Sequence, residues 1–168
     1  MNNAVEFLIR GSLIGVGATL TMDLWAALLR RFGIRSLDFR LLGRWLGHIP
    51  RGRWWHESIA RAAPVSGELW IGSVAHYSIG VSFAFASLTL FGIEWSRSPT
   101  LLPSLLLGIA TVVAPLFVLQ PAFGAGVASS KTSAPLFNAF KSLVTHIVFG
   151  VGLFVAAHAT VILLPINE

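Results

Sequence analysis

No cysteine occurs in the 168 residues. Disulfides, thiolate metal sites and cysteine catalysis are therefore excluded. Charge is also scarce, at 11% of residues against roughly 25% in an average soluble domain. Acidic side chains number only seven. Several familiar signatures are missing as well: there is no nucleophile elbow, HExxH helix or dinucleotide fingerprint. The stretch Gln120 to Ser133 (QPAFGAGVASSKTS) has the glycines, hydroxyls and lysine of a phosphate cradle. It is not a P-loop, because Ser130 stands where a glycine must precede the lysine. A flexible exit from an apolar helix, with turns that glycine permits, is the plainer account of it.

Apolar residues make up the balance. They are 55% of the chain, and mean hydropathy is +0.76. A soluble fold of this length could not hide that surface, whereas a bilayer can, and no length remains for a separate soluble domain. The high isoelectric point, 11.1, resembles a nucleic-acid signal. The arginines sit beside apolar runs, however, so lipid headgroups and topology account for them better, and no nucleic-acid partner is expected.

About 20 mostly apolar residues cross a hydrocarbon core as a helix. Four stretches qualify: 7–29, 70–93, 100–120 and 142–164. The first lacks a signal-peptide cleavage pattern and reads as a retained span. The third contains Pro103 and Pro115, and Pro115 removes the helical partner of the Thr111 carbonyl. Basic residues set the expected orientation. Loop 30–69 holds Arg30, Arg31, Arg35, Arg40, Arg44, Arg51, Arg53 and Arg61, and the third loop holds Lys131 and Lys141. Arg97 alone marks the second loop. Loops one and three are thus expected in the cytoplasm and both termini in the periplasm. Within loop one, residues 37–49 repeat apolar side chains at helical spacing opposite Asp38, Arg40 and Arg44, with Ser36 as a possible cap. That pattern predicts an interfacial amphipathic helix. Trp54, Trp55 and Trp70 suit an aromatic belt at that surface and Trp95 one at the other. The expected fold is all-α: a polytopic membrane protein, one four-helix transmembrane bundle with an interfacial helix in its first cytoplasmic loop.

Ionisable groups inside spans are expensive, and their default reading is functional. Counting along helices puts Asp23 and His76 each about 9 Å, and His146 about 6 Å, from the cytoplasmic ends of their spans. Gln120 closes the third span at the same end, and Tyr77 neighbours His76. Small residues accompany the imidazoles at helical spacing, in the stripes Gly72–His76–Gly80–Ala84 and Ser142–His146–Gly150. Asp23 shares a face with Thr19 and Ala27, and Gly11, Gly15 and Gly17 lie nearby.

One carboxylate and two imidazoles can hold a divalent metal, with Gln120 or water completing the shell. The same groups can relay protons or act as general base and acid. The plainest alternative is an Asp23–imidazole hydrogen bond that only locks the bundle. His158 lies apart, near the outer end of its span. His48, Arg51 and Lys131 are candidate loop contacts to the site, while His56 suits lipid headgroups.

The stretches MDLWAALLRRFG from Met22, GRWLGHIPRG from Gly43, AHYSIG from Ala75, QPAFGAG from Gln120 and KSLVTHIVFG from Lys141 give the chain a resemblance. It resembles a family of small bacterial integral membrane proteins catalogued only as a domain of unknown function. The resemblance implies a four-span protein of the bacterial inner membrane and carries no activity with it. Three functions stay open: a small transporter, oligomeric because four spans leave little room for a private pathway; a membrane enzyme acting on a lipid or amphiphile; and a binding protein holding metal, haem or a small substrate through His76 and His146.

Overall fold

The computed structural model describes residues 2–36 and 38–165. All regular structure among them is helical. Four helices are long and apolar enough to cross a membrane. They are α1 (Asn3–Arg31), α3 (Glu68–Phe91), α5 (Leu101–Ala122) and α6 (Pro135–Leu163). Two shorter helices join them, α2 (Phe39–His48) and α4 (Ile93–Arg97).

Local chemistry sets these boundaries. The Asn2 side chain accepts from Ala4 N at 2.9 Å and opens α1. Gly92, at φ 79°, stops α3 at Phe91, two residues short of the expected Ile93. Pro135 occupies the first turn of α6, where its missing N–H costs nothing. This helix starts two turns before the expected Ser142, so Lys141 is helical rather than part of the loop. Helix α2 is capped by Asp38, whose carboxylate accepts from Arg40 N at 2.9 Å, not by Ser36. The expected start of this helix, Leu37, lies outside the described residues.

The prolines of α5 act differently from one another. Pro103 falls in the first turn, where amides have no helical partner in any case, and it introduces no break. Pro115 sits within Ala114–Leu119, where the helix widens to a π turn and Gln120 N reaches back to Pro115 O. The interruption is thus spread over a turn.

Small residues decide which helices touch. A Cβ on Gly11 or Gly15 of α1 would collide with Phe85 or Val81 of α3. Gly17 of α1 meets Ala156 of α6, and Gly152 meets Ala18. Gly108 of α5 lies against the backbone of His146 and Gly150. The spans consequently follow the spatial order α3, α1, α6, α5, and α3 and α5 touch only sparingly. Ile14, Ala18, Ala84, Phe149 and Leu153 form the central core. Trp95 belongs to that core, 6% exposed, with its Nε1–H donating to Thr100 O at 3.1 Å. It is therefore not part of a surface belt. Trp54, Trp55 and Trp70 are exposed.

Helix α2 packs on α3 at a glycine crossing. Gly43 lies on the Glu68 carbonyl and Gly72 on the Phe39 carbonyl, with no room for a Cβ at either. The Gly72–His76–Gly80–Ala84 stripe therefore serves two partners, α2 at one end and α1 at the other. The segment after α2 crosses to the loop between α5 and α6. There His56 N donates to Ala122 O at 3.0 Å and Ile59 N to Phe123 O at 3.1 Å. The first and third loops thus form one cap over a single end of the bundle.

Candidate functional site

Asp23 uses both carboxylate oxygens. Its Oδ1 is 3.0 Å from His76 Nε2, and its Oδ2 accepts from the Tyr77 hydroxyl at 2.9 Å. A carboxylate has no hydrogen to give, so His76 donates through Nε2–H. In the neutral ring this leaves the lone pair on Nδ1. Phe39, from the start of α2, stacks over the imidazole with ring centroids 4.5 Å apart. Asp23 and His76 remain partly accessible, with side chains 25% and 15% exposed. The arrangement follows from the α1–α3 register: Gly11 against Phe85, Gly15 against Val81 and Thr19 against Gly80 lead on to Asp23 against His76.

His146 belongs to a different pair. Its Nδ1 lies 2.9 Å from Thr111 Oγ1 on α5. The one hydrogen of Thr111 goes to Gly108 O at 2.7 Å, so the ring donates here too and keeps its lone pair on Nε2. Thr21 and Ala18 of α1 meet Gly152 of α6. Asp23 and His76 thus share one hydrogen bond, and His146 takes its own partner on α5. Among the described residues no three His, Asp or Glu side chains are grouped so as to hold a metal ion. The three-ligand metal shell expected from Asp23, His76 and His146 is not formed, because His146 is positioned by α5 rather than by α1.

The remaining candidates are placed as follows. Gln120 stitches the third loop to α6, donating to Ser142 Oγ at 3.1 Å and accepting from Ser129 Oγ at 3.0 Å. His48 is buried, and its Nε2–H donates to Ala63 O at 3.0 Å. Its Nδ1 is 2.8 Å from His56 Nε2. His56 is accordingly a half-buried partner of His48 rather than a headgroup contact. Burial, then the nearby His48, pushes its pKa below the ordinary value. Arg51 is exposed, and Lys131 lines a cavity in the cap. His158 stands apart and exposed, bonded to Phe154 O.

Three features escaped the sequence reading. Thr111 was noticed for its carbonyl, but its hydroxyl holds His146. Arg44 does not belong to a purely solvated face: it forks onto Glu68 at 2.9 and 2.8 Å and donates to the carbonyls of Ile59, Ala60 and Ala62. The Glu68 carboxylate holds its pKa above the usual arginine value. At the opposite end of the bundle, Arg10 is 1% exposed and Glu6 3%. Arg10 donates to Glu6 at 2.8 Å, Thr160 Oγ1 at 3.0 Å and Leu164 O at 2.7 Å. Arg97 closes on the same carboxylate at 2.7 Å. Spacing at i, i+4 was the available signal for the Glu6–Arg10 pair.

Residues 12–160 match the family described as "Protein of unknown function (DUF2938)". The chain belongs to that family. No curated protein and no solved structure matches this family member. Membership agrees with the resemblance read from the sequence and assigns no chemistry to Asp23, His76 or His146.

A shallow groove opens on another face of the bundle. It measures about 440 Å³ and lies where α3 and α5 stand apart, between Phe83 and Ala86 on one wall and Leu107, Ala110, Thr111 and Ala114 on the other. The groove is therefore apolar along most of its length and meets the His146 partner, Thr111, on its α5 wall.

Proposed function

We propose that this protein binds a small polar ligand or headgroup at Asp23, His76 and Tyr77 and exchanges a proton with it through His76 Nδ1. The observation that carries the reading is the double use of the Asp23 carboxylate. Two donors fix Asp23, Asp23 fixes the tautomer of His76, and the opposite ring nitrogen keeps its lone pair. An imidazole oriented by a carboxylate is suited to accept a proton from a ligand at its other nitrogen. In this reading the basic capped end faces the cytoplasm of a bacterial inner membrane and both termini face the periplasm, as the loop arginines favour.

The apolar groove between α3 and α5 offers room for an acyl chain and supports an amphiphile as the ligand. A membrane enzyme acting on such an amphiphile is the second reading.

The test is small-molecule analysis of gently purified wild-type protein beside Asp23→Asn, Tyr77→Phe and, as a control on the same helix, Ser82→Ala. A species retained by wild type and the control, lost from Asp23→Asn and reduced in Tyr77→Phe, is the expected result. Identical content in all four proteins would overturn the proposal. So would imidazole nitrogen NMR showing His76 without a proton on Nε2.

A further inference from the structure

Away from Asp23, the surface of the cap carries a second, open cavity of about 700 Å³. Trp55, His56 and Glu57 from the first loop and Gly126, Ser130 and Lys131 from the third contribute to its lining. Its walls are fixed by bonding between the loops: His56 N to Ala122 O and Ile59 N to Phe123 O. Gly124, at φ 89°, lies directly on the His56 and Glu57 carbonyls, where any Cβ would collide.

The third loop reaches this shape through strained backbone. Ala128 and Ser129 both take left-handed φ values, 49° and 63°, which side chains with a Cβ rarely adopt. Ser129 Oγ is held by Gln120, and Lys131 N donates to Ala125 O at 2.9 Å. These contacts fold the loop so that the Ser130 hydroxyl and the Lys131 stem lie across Gly126, whose missing side chain leaves them space. Strain of this kind concentrates at ligand-binding segments.

The charges lining the cavity are of both signs. Neither Lys131 nor Glu57 takes part in an ion pair among the described residues. A simple anion attracted by Lys131 would also meet Glu57, and a simple cation the reverse. One ligand answers both groups: a molecule carrying a phosphate and an ammonium. Trp55 is 67% exposed beside the cavity, and Trp54 next to it is 53% exposed. Aromatic rings of this kind sit at headgroup level, and they attract ammonium groups. We infer that the cap cavity is a binding site for a phosphate–ammonium zwitterion. The phosphate is taken by Lys131 and Ser130, and the ammonium by Glu57 and Trp55. The site uses no residue of the Asp23 group and stands or falls independently of it.

Native mass spectrometry of the full chain, titrated with short-chain phosphatidylethanolamine, short-chain phosphatidylglycerol and free phosphoethanolamine, tests this. Wild type should prefer phosphatidylethanolamine to phosphatidylglycerol. Glu57→Gln should erase or reverse that preference, a change of about tenfold, the scale of one charge-assisted hydrogen bond. Lys131→Gln should weaken both lipids. Both side chains are exposed, so melting temperatures should stay at the wild-type value and separate binding from folding. Competition by free phosphoethanolamine assigns the site to a soluble zwitterion, and its failure to compete assigns it to a lipid headgroup. Equal binding of the two lipids by wild type, or an unchanged preference in Glu57→Gln, would refute the inference.

Discussion

Asp23 shows what one residue can impose on its neighbours. With His76 on one oxygen and Tyr77 on the other, it defines a tautomer as well as a contact. Replacing it by Asn supplies an N–H where an acceptor is needed, so His76 should lose its fixed orientation and its single tautomer. Imidazole nitrogen NMR reads this directly, and an Nε2 proton on His76 that is unchanged in Asp23→Asn would count against the dyad.

At the other end, Glu6 offsets the charge of Arg10, which is almost wholly buried. Removing one member of a buried pair costs roughly 3–5 kcal/mol, because the other charge remains without its partner. Glu6→Ala should therefore lower thermal stability strongly, and adding Arg10→Met should restore part of the loss. A double variant less stable than Glu6→Ala would show that the other bonds of Arg10 outweigh the ion pair.

Among the elements, α2 depends on two glycines. A methyl group on Gly43 would enter the Glu68 carbonyl. Overpacking typically costs about 1–3 kcal/mol, and here the obstacle is backbone that cannot rotate away. Gly43→Ala should detach α2 and uncover His76 by removing Phe39, visible as faster hydrogen exchange over residues 39–48. Exchange at the wild-type rate would mean that the crossing has slack.

The cap responds to pH through His56. Its pKa is lowered in the folded protein by burial, then by His48, so the fold favours the neutral ring and binds fewer protons than the unfolded chain. The stabilisation is complete above the ordinary value of 6.5 and declines as pH falls through and below it. Hydrogen exchange at residues 56–59 and 122–124 should accelerate between pH 7 and 5 in wild type and lose most of that dependence in His56→Gln. Equal pH dependence in both proteins would remove His56 as the cause.

For the whole molecule, the loop-to-loop bonding places loops one and three on one side of the bundle. The natural absence of cysteine makes this easy to examine. Single cysteines at Arg53, Ser130 and Ser98 should react with an impermeant maleimide in two classes, with the first two alike and Ser98 opposite. In intact bacterial cells Ser98 should be the reactive one if the capped end is cytoplasmic. Labelling of Ser130 but not Ser98 would invert the proposed orientation. The spatial order α3, α1, α6, α5 also explains the groove, since the two outer helices share few contacts and leave a lateral opening at Thr111.

Composition and periodicity determined much of this protein without coordinates. Four apolar runs of membrane length, the amphipathic α2 and the small-residue stripes are local properties, legible because helix length and a 3.6-residue period are written residue by residue. The pairing of Asp23 with His76 was legible for the same reason, since antiparallel helices of known rise bring equal depths together. Rotation about each helix axis and the choice of neighbour were not, because they depend on side-chain shape across chain-distant helices. Packing alone sent His146 to Thr111, buried Trp95, turned Arg44 inward and coupled His56 to His48. It also gave the titratable groups different hydrogen-bond partners, Asp23 with His76 across α1 and α3 and His146 with Thr111 across α6 and α5.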